Sequence, residues 1–356
     1  MKKLLNDFFD RYFHDEESII LVILLSAGLI ILLLFGGILA PLVAAIIISY
    51  LMQGLVNLVL RQGMSAKLAF ASVYILFVGI FTMLLFFVLP QVWNQLRRMV
   101  DEVPNLVNQG QEALRNLPEN YPDVFSEQWV QQAVNSLSGE VRGFGQTILE
   151  FSLASLPSLF AWFIFLILVP ILVFFMMKDK DELMLWFGNF LPRNKPLMNA
   201  IWQEMDEQIA NYIRGKVVEI IIVGSAAYLI FIIVGINYAL ALSVLVGVSV
   251  IVPYIGAITV TIPVVAIAYI QWGFTGEFYS VTLAYLILQI IDGNVLVPII
   301  FSEAVNLHPV AIIAAVLFFG GIWGMAGVFF AIPLATLIKA IINAWPSKVQ
   351  SKPLTD

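Results

Sequence analysis

Residues 282–300 read TLAYLILQIIDGNVLVPII, and the acid at position 292 decides what kind of protein this is. No other charge lies in the stretch. A carboxylate carried to the middle of a bilayer costs about 2.5–3.5 kcal/mol on insertion scales. It persists there only when it faces a bundle interior or a water-filled cavity. Gly293 and Asn294 follow Asp292, and Pro298 comes soon after, so the helix is weakened at this point. A polar break inside an apolar span is a way for a membrane protein to build a solute or ion site.

The rest of the composition agrees with a chain living in lipid. Of 356 residues, 61% are hydrophobic and 12% charged, against about 25% charged in ordinary soluble domains. The apolar residues are grouped in long runs, which favours membrane spans over one large soluble core. Net charge is −6 with no basic block, so nucleic acid is not an expected partner. With no cysteine there is neither a disulfide nor a thiolate metal site. Two histidines, His14 and His308, are too few for a histidine-rich metal cluster. No metal and no cofactor is expected. A phosphate-binding GxxxxGK[ST] loop, an HExxH pair and a G-x-S-x-G turn are all absent, which argues against an enzyme.

Read in order, the chain is an all-α polytopic membrane protein with about eight membrane elements, some broken or re-entrant. Residues 1–89 hold an interfacial helix and three spans. Leu4, Leu5, Phe8, Phe9 and Phe13 form the apolar face of that helix, and Lys2, Lys3 and Arg11 favour the cytoplasmic side. The spans cover residues 18–39, 41–60 (restarted by Pro41) and 68–89 (ended by Pro90). Residues 90–150 are a polar helical insert on the non-cytoplasmic face. Its stripe of Val130, Val134, Leu137, Val141, Phe144 and Ile148 packs within its own domain or between subunits, and ENYPD at 119–123 is a turn. Residues 151–177 form a fourth span, bent at Pro157 and Pro170. Residues 178–215, with the densest positive charge, are a cytoplasmic loop. Residues 216–343 are a core of broken helices, in which 238–270 counts as one broken or re-entrant unit and 309–342 as one element, too long for one simple helix and holding GGIWGMAG at 320–327. Residues 344–356 are a cytoplasmic tail.

Asp292 is the leading candidate for a solute, cation or proton path, with a helix-capping carboxylate as the alternative. Gln289 and Asn294 either line that path or bond between helices. Glu303 and His308 are candidates for a proton relay, against a local hydrogen-bonding role for the imidazole. Pro253, Tyr254 and Gly256 make a break whose freed carbonyls can meet an ion or solute, or simply a turn. Gly320, Gly321, Gly324 and Gly327 serve close helix packing or gating. Glu219 is read as an interfacial charge pairing with Arg214 or Lys216 near a span end.

The motifs NYIRGK (211–216), IVPYIGA (251–257), DGNVLVPIIFSEAVNLHP (292–309) and GGIWGMAGVFFAIPLATLIKA (320–340) resemble the autoinducer-2 exporter family, most of all its PerM-type bacterial branch. The resemblance runs over nearly the whole chain. It implies a secondary permease of the bacterial inner membrane, multi-pass with both termini cytoplasmic, and a homo-oligomer, suspected to be a pentamer. It also implies export of a small polar solute such as a signalling molecule, or alternatively sodium/proton exchange. A membrane scaffold without transport is the reading from another class. There the polar insert would recruit partners, and Asp292 would only cap a helix.

Overall fold

The computed structural model describes residues 16–115, 118, 126, 128, 130–132, 158–189, 191, 196–253, 255–301 and 307–344. The expected interfacial helix, the ENYPD turn, all of the insert stripe but Val130, Pro157, Tyr254, Glu303 and the tail from 345 lie outside these residues. Among the described residues every regular element is helical.

The order is α1 (Glu16–Arg61), α2 (Ala66–Met83), a π-helical turn (Leu84–Val88), α3 (Leu89–Arg115), α4 (Ser158–Lys178), α5 (Lys180–Gly188), α6 (Pro196–Val234), α7 (Ala239–Ser249), α8 (Ile255–Trp272), α9 (Gly276–Ile291), a second π-helical turn (Asp292–Leu296), α10 (Val297–Phe301), α11 (Pro309–Trp323) and α12 (Met325–Ala344). Among the described residues, five helical stretches are long and apolar enough to cross a membrane: Ile38–Arg61, Ala66–Glu102, Pro196–Val234, Ile255–Trp272 and Gly276–Phe301. Their outer faces carry large apolar side chains in the open, such as Ile233 (82% exposed) and Ile38 (77%). In water such belts would drive aggregation; in hydrocarbon they are the lipid contact.

The structure differs from the sequence expectation at three prolines and one glycine cluster. The first is Pro41, which does not restart a helix: α1 is hydrogen-bonded through it. Yet α1 is not straight. Glu17 Oε1 accepts from the Met198 N–H at 2.7 Å, and the Tyr50 hydroxyl donates to the Asp206 carbonyl at 3.2 Å. A straight helix would hold Glu17 and Tyr50 about 50 Å apart, whereas Met198 and Asp206 are only about 12 Å apart along α6. The helix must therefore bend sharply between its arms, where Gly36, Gly37 and Pro41 cluster.

Pro90 and Pro298 share a different solution. Neither ends its helix. Each is preceded by a π-helical turn that contains the residue four back, Phe86 or Asn294. A proline ring clashes with that carbonyl in an α-helix and supplies no N–H to it. The wider turn shifts the bonding by one residue: the Leu89 N–H reaches Leu84 O, and the Val297 N–H reaches Asp292 O. The weakened backbone expected at Asp292 is thus a widening, not an interruption.

The expected break at 250–254 is present and separates α7 from α8. A Cβ on Gly256 would strike the Ser249 carbonyl, so the two helices meet backbone to backbone. The run 309–342, expected as one element, is a hairpin. Gly324 turns it with φ +60°, a region that suits glycine. α11 is only about 22 Å long and α7 about 16 Å, each short of a ~30 Å hydrocarbon core.

Helix α6 organises the interior. Its second half packs with α7, α8 and α9 around Val223, Phe231, Val246, Val264 and Tyr285. Its first half meets one arm of α1 and the end of α12 through Leu21, Met198, Ile201 and Ala340. Its middle meets the other arm of α1, α10 and α12 through Tyr212, Ile213, Phe301 and Ile332. The insert is tied to this bundle: Gln95 Oε1 on α3 accepts from the Ala241 N–H at 2.9 Å, in the first turn of α7.

The hairpin yields a paired test. A Cβ at Gly327 would strike the Phe319 carbonyl, whereas one at Gly321 meets nothing within 4 Å. Gly327→Ala is expected to lower stability by about 1–3 kcal/mol through overpacking. Gly321→Ala should leave the melting temperature of the purified protein unchanged or slightly higher.

Candidate functional site

The buried face of α6 is drawn by Tyr212, Lys216, Glu219, Val223, Ala227 and Phe231, spaced by three or four residues. Two of these six are charged, so folding this amphipathic stripe inward carries an ion pair with it. Lys216 is 5% exposed and Glu219 1%. The Lys216 ammonium donates to Glu219 Oε2 at 2.7 Å and to the Val250 carbonyl at 2.8 Å. That carbonyl is free because α7 has just ended. The same ammonium stands 5.1 Å above the ring of Phe301, a favourable cation–π position.

A second polar stripe faces this pair from α9. Thr282, Tyr285, Gln289 and Asp292 follow one another at intervals of three, four and three, which is one helix face. Gln289 Nε2 donates to the Tyr285 hydroxyl at 2.6 Å. That hydroxyl shares a 3.1 Å hydrogen bond with Thr261 Oγ1 and lies 3.3 Å from the Ala257 carbonyl, at the start of α8. Asp292 ends the stripe and opens the second π-helical turn. It is 8% exposed, and its charge interacts with those of Lys216 and Glu219. Its Oδ1, and the Thr282 hydroxyl above it, are buried with no hydrogen-bond partner.

An unsatisfied buried polar atom calls for an explanation, and a carboxylate oxygen most of all. With all three ionised, these side chains carry one positive and two negative charges, one positive charge short of neutrality.

The other sequence candidates sit differently. Asn294 is exposed and its amide donates to Ile290 O at 2.9 Å, a bond within its own helix. His308 is exposed and caps α11, its Nδ1 accepting from the Val310 N–H at 3.2 Å; this is the local role weighed against the relay. Pro253 is half-buried at the α7–α8 break, and Gly256 is buried against Ser249. Gly320 faces Val328, and Gly327 faces Phe319, across the hairpin. Among the described residues no group of three or more acidic or imidazole side chains is arranged to hold a metal ion.

Glu219 pairs with Lys216, as expected, but inside the bundle: it is among the most buried side chains of the described residues. Arg214, one of its two expected partners, lies 5.8 Å from the ring of Tyr50 and against Gly54. Lys216 was missed as a site residue. The signal available was its place on the three-and-four stripe shared with Tyr212 and Val223.

A bundle of lipid-facing helices around a desolvated charge pair, with the short helices α7 and α10 meeting at that pair, has the build of a membrane transporter. The comparisons agree. Residues 19–347 match the model of the AI-2E family transporters, and the chain belongs to that family. It is 45% identical over 346 residues to PerM of Escherichia coli (strain K12), named as a permease, covering 97% of this chain and 98% of that one. It is 25% identical to the Bacillus subtilis (strain 168) protein YrrI, named for transport, over 86% of each chain. It is 24% identical to TqsA of Escherichia coli (strain K12), named as an AI-2 transport protein, again over 86% of each.

Removing one partner of a buried ion pair strands the other, at about 3–5 kcal/mol. Lys216→Met alone is therefore expected to lower the melting temperature and the monodisperse yield sharply. Lys216→Met combined with Glu219→Gln should recover most of that loss.

Proposed function

We propose that this chain is a secondary transporter that exports a small polar solute from the bacterial cytoplasm through a path that reaches Asp292. The observation that carries the reading is the buried, unpartnered Oδ1 of Asp292 at the end of the Thr282–Tyr285–Gln289 stripe. A group that only capped its helix would spend that oxygen on a backbone N–H. A carrier site must leave it free between passengers. The short helices α7 and α11 supply the irregular backbone that transporters place around such sites.

The name of TqsA makes AI-2 the first solute to test. The membrane is the bacterial inner membrane, with both termini cytoplasmic, and copies of the chain assemble into a homo-oligomer through part of the exposed apolar surface. No catalytic role is assigned to any side chain.

A second reading, sodium/proton exchange, is favoured by the charge count at Lys216, Glu219 and Asp292, which a single monovalent cation or proton would bring to zero. Proteoliposomes separate the two. Asp292→Asn should cut flux by at least about tenfold, the factor that about 1.4 kcal/mol represents. If the lost flux is of AI-2 and is indifferent to sodium, the exporter reading holds. If it is sodium-driven proton movement, the exchanger does. Unchanged flux of both would end the assignment of Asp292.

A further inference from the structure

Lys216 has a choice of two carboxylates and takes only one. Its ammonium has three N–H donors. Two are spent on Glu219 Oε2 and the Val250 carbonyl. Asp292 lies within range of the same charge, yet its Oδ1 accepts from nothing. The neighbouring cation of α6, Arg214, is turned away towards Tyr50. Lys216 is thus the cation whose charge bears on Asp292, and it is paired with Glu219 instead.

We infer that Glu219 is a positioning residue that keeps the Asp292 site open by sequestering Lys216, a tethered cation that would otherwise occupy the site in place of the cargo. The inference rests on the proposal that cargo reaches Asp292, and it adds the reason that the site is vacant to receive it. With Glu219 ionised, the ammonium has a full counter-charge one helical turn away and gains nothing by leaving it. With that charge removed, the remaining carboxylate is Asp292, and a desolvated ammonium moves to it or draws it closer. A cargo molecule must then displace a covalently attached competitor, and its apparent affinity falls by the fraction of protein still open.

This assigns opposite outcomes to two variants that a purely structural ion pair would treat alike. Glu219→Gln retains a hydrogen-bond acceptor for Lys216 but not the charge. Its proteoliposome flux, of AI-2 or of sodium, whichever Asp292→Asn abolishes, should fall about tenfold or more, as expected when only about a tenth of the sites stay open. Thermal melting and a monodisperse profile should persist. Adding Lys216→Met to Glu219→Gln removes the competitor, and flux should rise again above that of Glu219→Gln alone. The inference is overturned if Glu219→Gln transports like the unmodified protein. It is overturned equally if the double variant, folded by the same criteria, is no more active than the single one. Flux that survives Asp292→Asn is a separate result: it removes the Asp292 reading itself, and this inference with it.

Discussion

An ion pair drawn into the interior of the bundle constrains everything packed around it. Lys216 and Glu219 lie on the inward stripe of α6, so that helix cannot bury its apolar face without also burying both charges. Desolvating two ions costs several kcal/mol each, and their attraction offsets this only with close geometry and further hydrogen bonds. The 2.7 Å contact, the Val250 carbonyl and the Phe301 ring supply those terms. Each comes from a different element, so α6, the end of α7 and α10 must arrive at one place for the pair to be tolerated. The apolar clusters of α6 with α7–α9, with α1 and α12, and with α10 extend outward from that convergence.

Two prolines then set where the chain widens. Pro298 cannot follow an ordinary α-turn without striking the Asn294 carbonyl, and the π-helical turn that relieves it begins at Asp292. One consequence is that the residue carrying the charge also carries the changed bonding. The other is that residues after the turn are rotated relative to α9, which lets Phe301 reach Lys216. Pro90 is relieved in the same way at Leu84–Val88. There the turn carries no charge and joins a membrane span to the arm that reaches Ala241. π-Helical turns inside α-helices are frequent at functional sites, and only the second of these two meets a charge cluster.

Much of this was legible in the sequence, for reasons of period and composition. The acid at 292 inside an apolar run, the break at Pro253 and the membrane character of the spans follow from local chemistry. What escaped is what depends on a partner distant in sequence. Lys216 and Glu219 look interfacial because they stand at the start of an apolar run; only their register with Tyr212 and Val223 points them inward. The length of 309–342 and its glycines point to a break, but not to a hairpin at Gly324, because hydropathy does not dip at the turn between its two apolar helices. Pro41 and Pro90 were read as stops, since proline ordinarily ends or kinks a helix. Here a bend and a widened turn relieved the clash instead. Tyr285 was passed over because a lone tyrosine in an apolar run looks like core. Its place in a line of polar residues emerges only when Thr282, Gln289 and Asp292 are counted on the same face.

The unpartnered Oδ1 of Asp292 is what the proposed transport path requires, and stability alone does not favour it. Leaving a buried acceptor unmade costs about 1–3 kcal/mol, and more for a charged group, so a protein under no other demand would fill it. Lys216, whose charge bears on Asp292, pairs with Glu219 instead. That it remains on Glu219 means the fold keeps a satisfied pair beside an unsatisfied acid, and the excess negative charge stays where the polar stripe of α9 ends. Such an arrangement attracts whatever cation or hydrogen-bond donor can enter. At the proposed site a passenger would be held through one free oxygen and not through a closed cage, which favours release as much as capture. Tight, fully coordinated sites suit storage; a single unpartnered oxygen in a desolvated cluster suits passage.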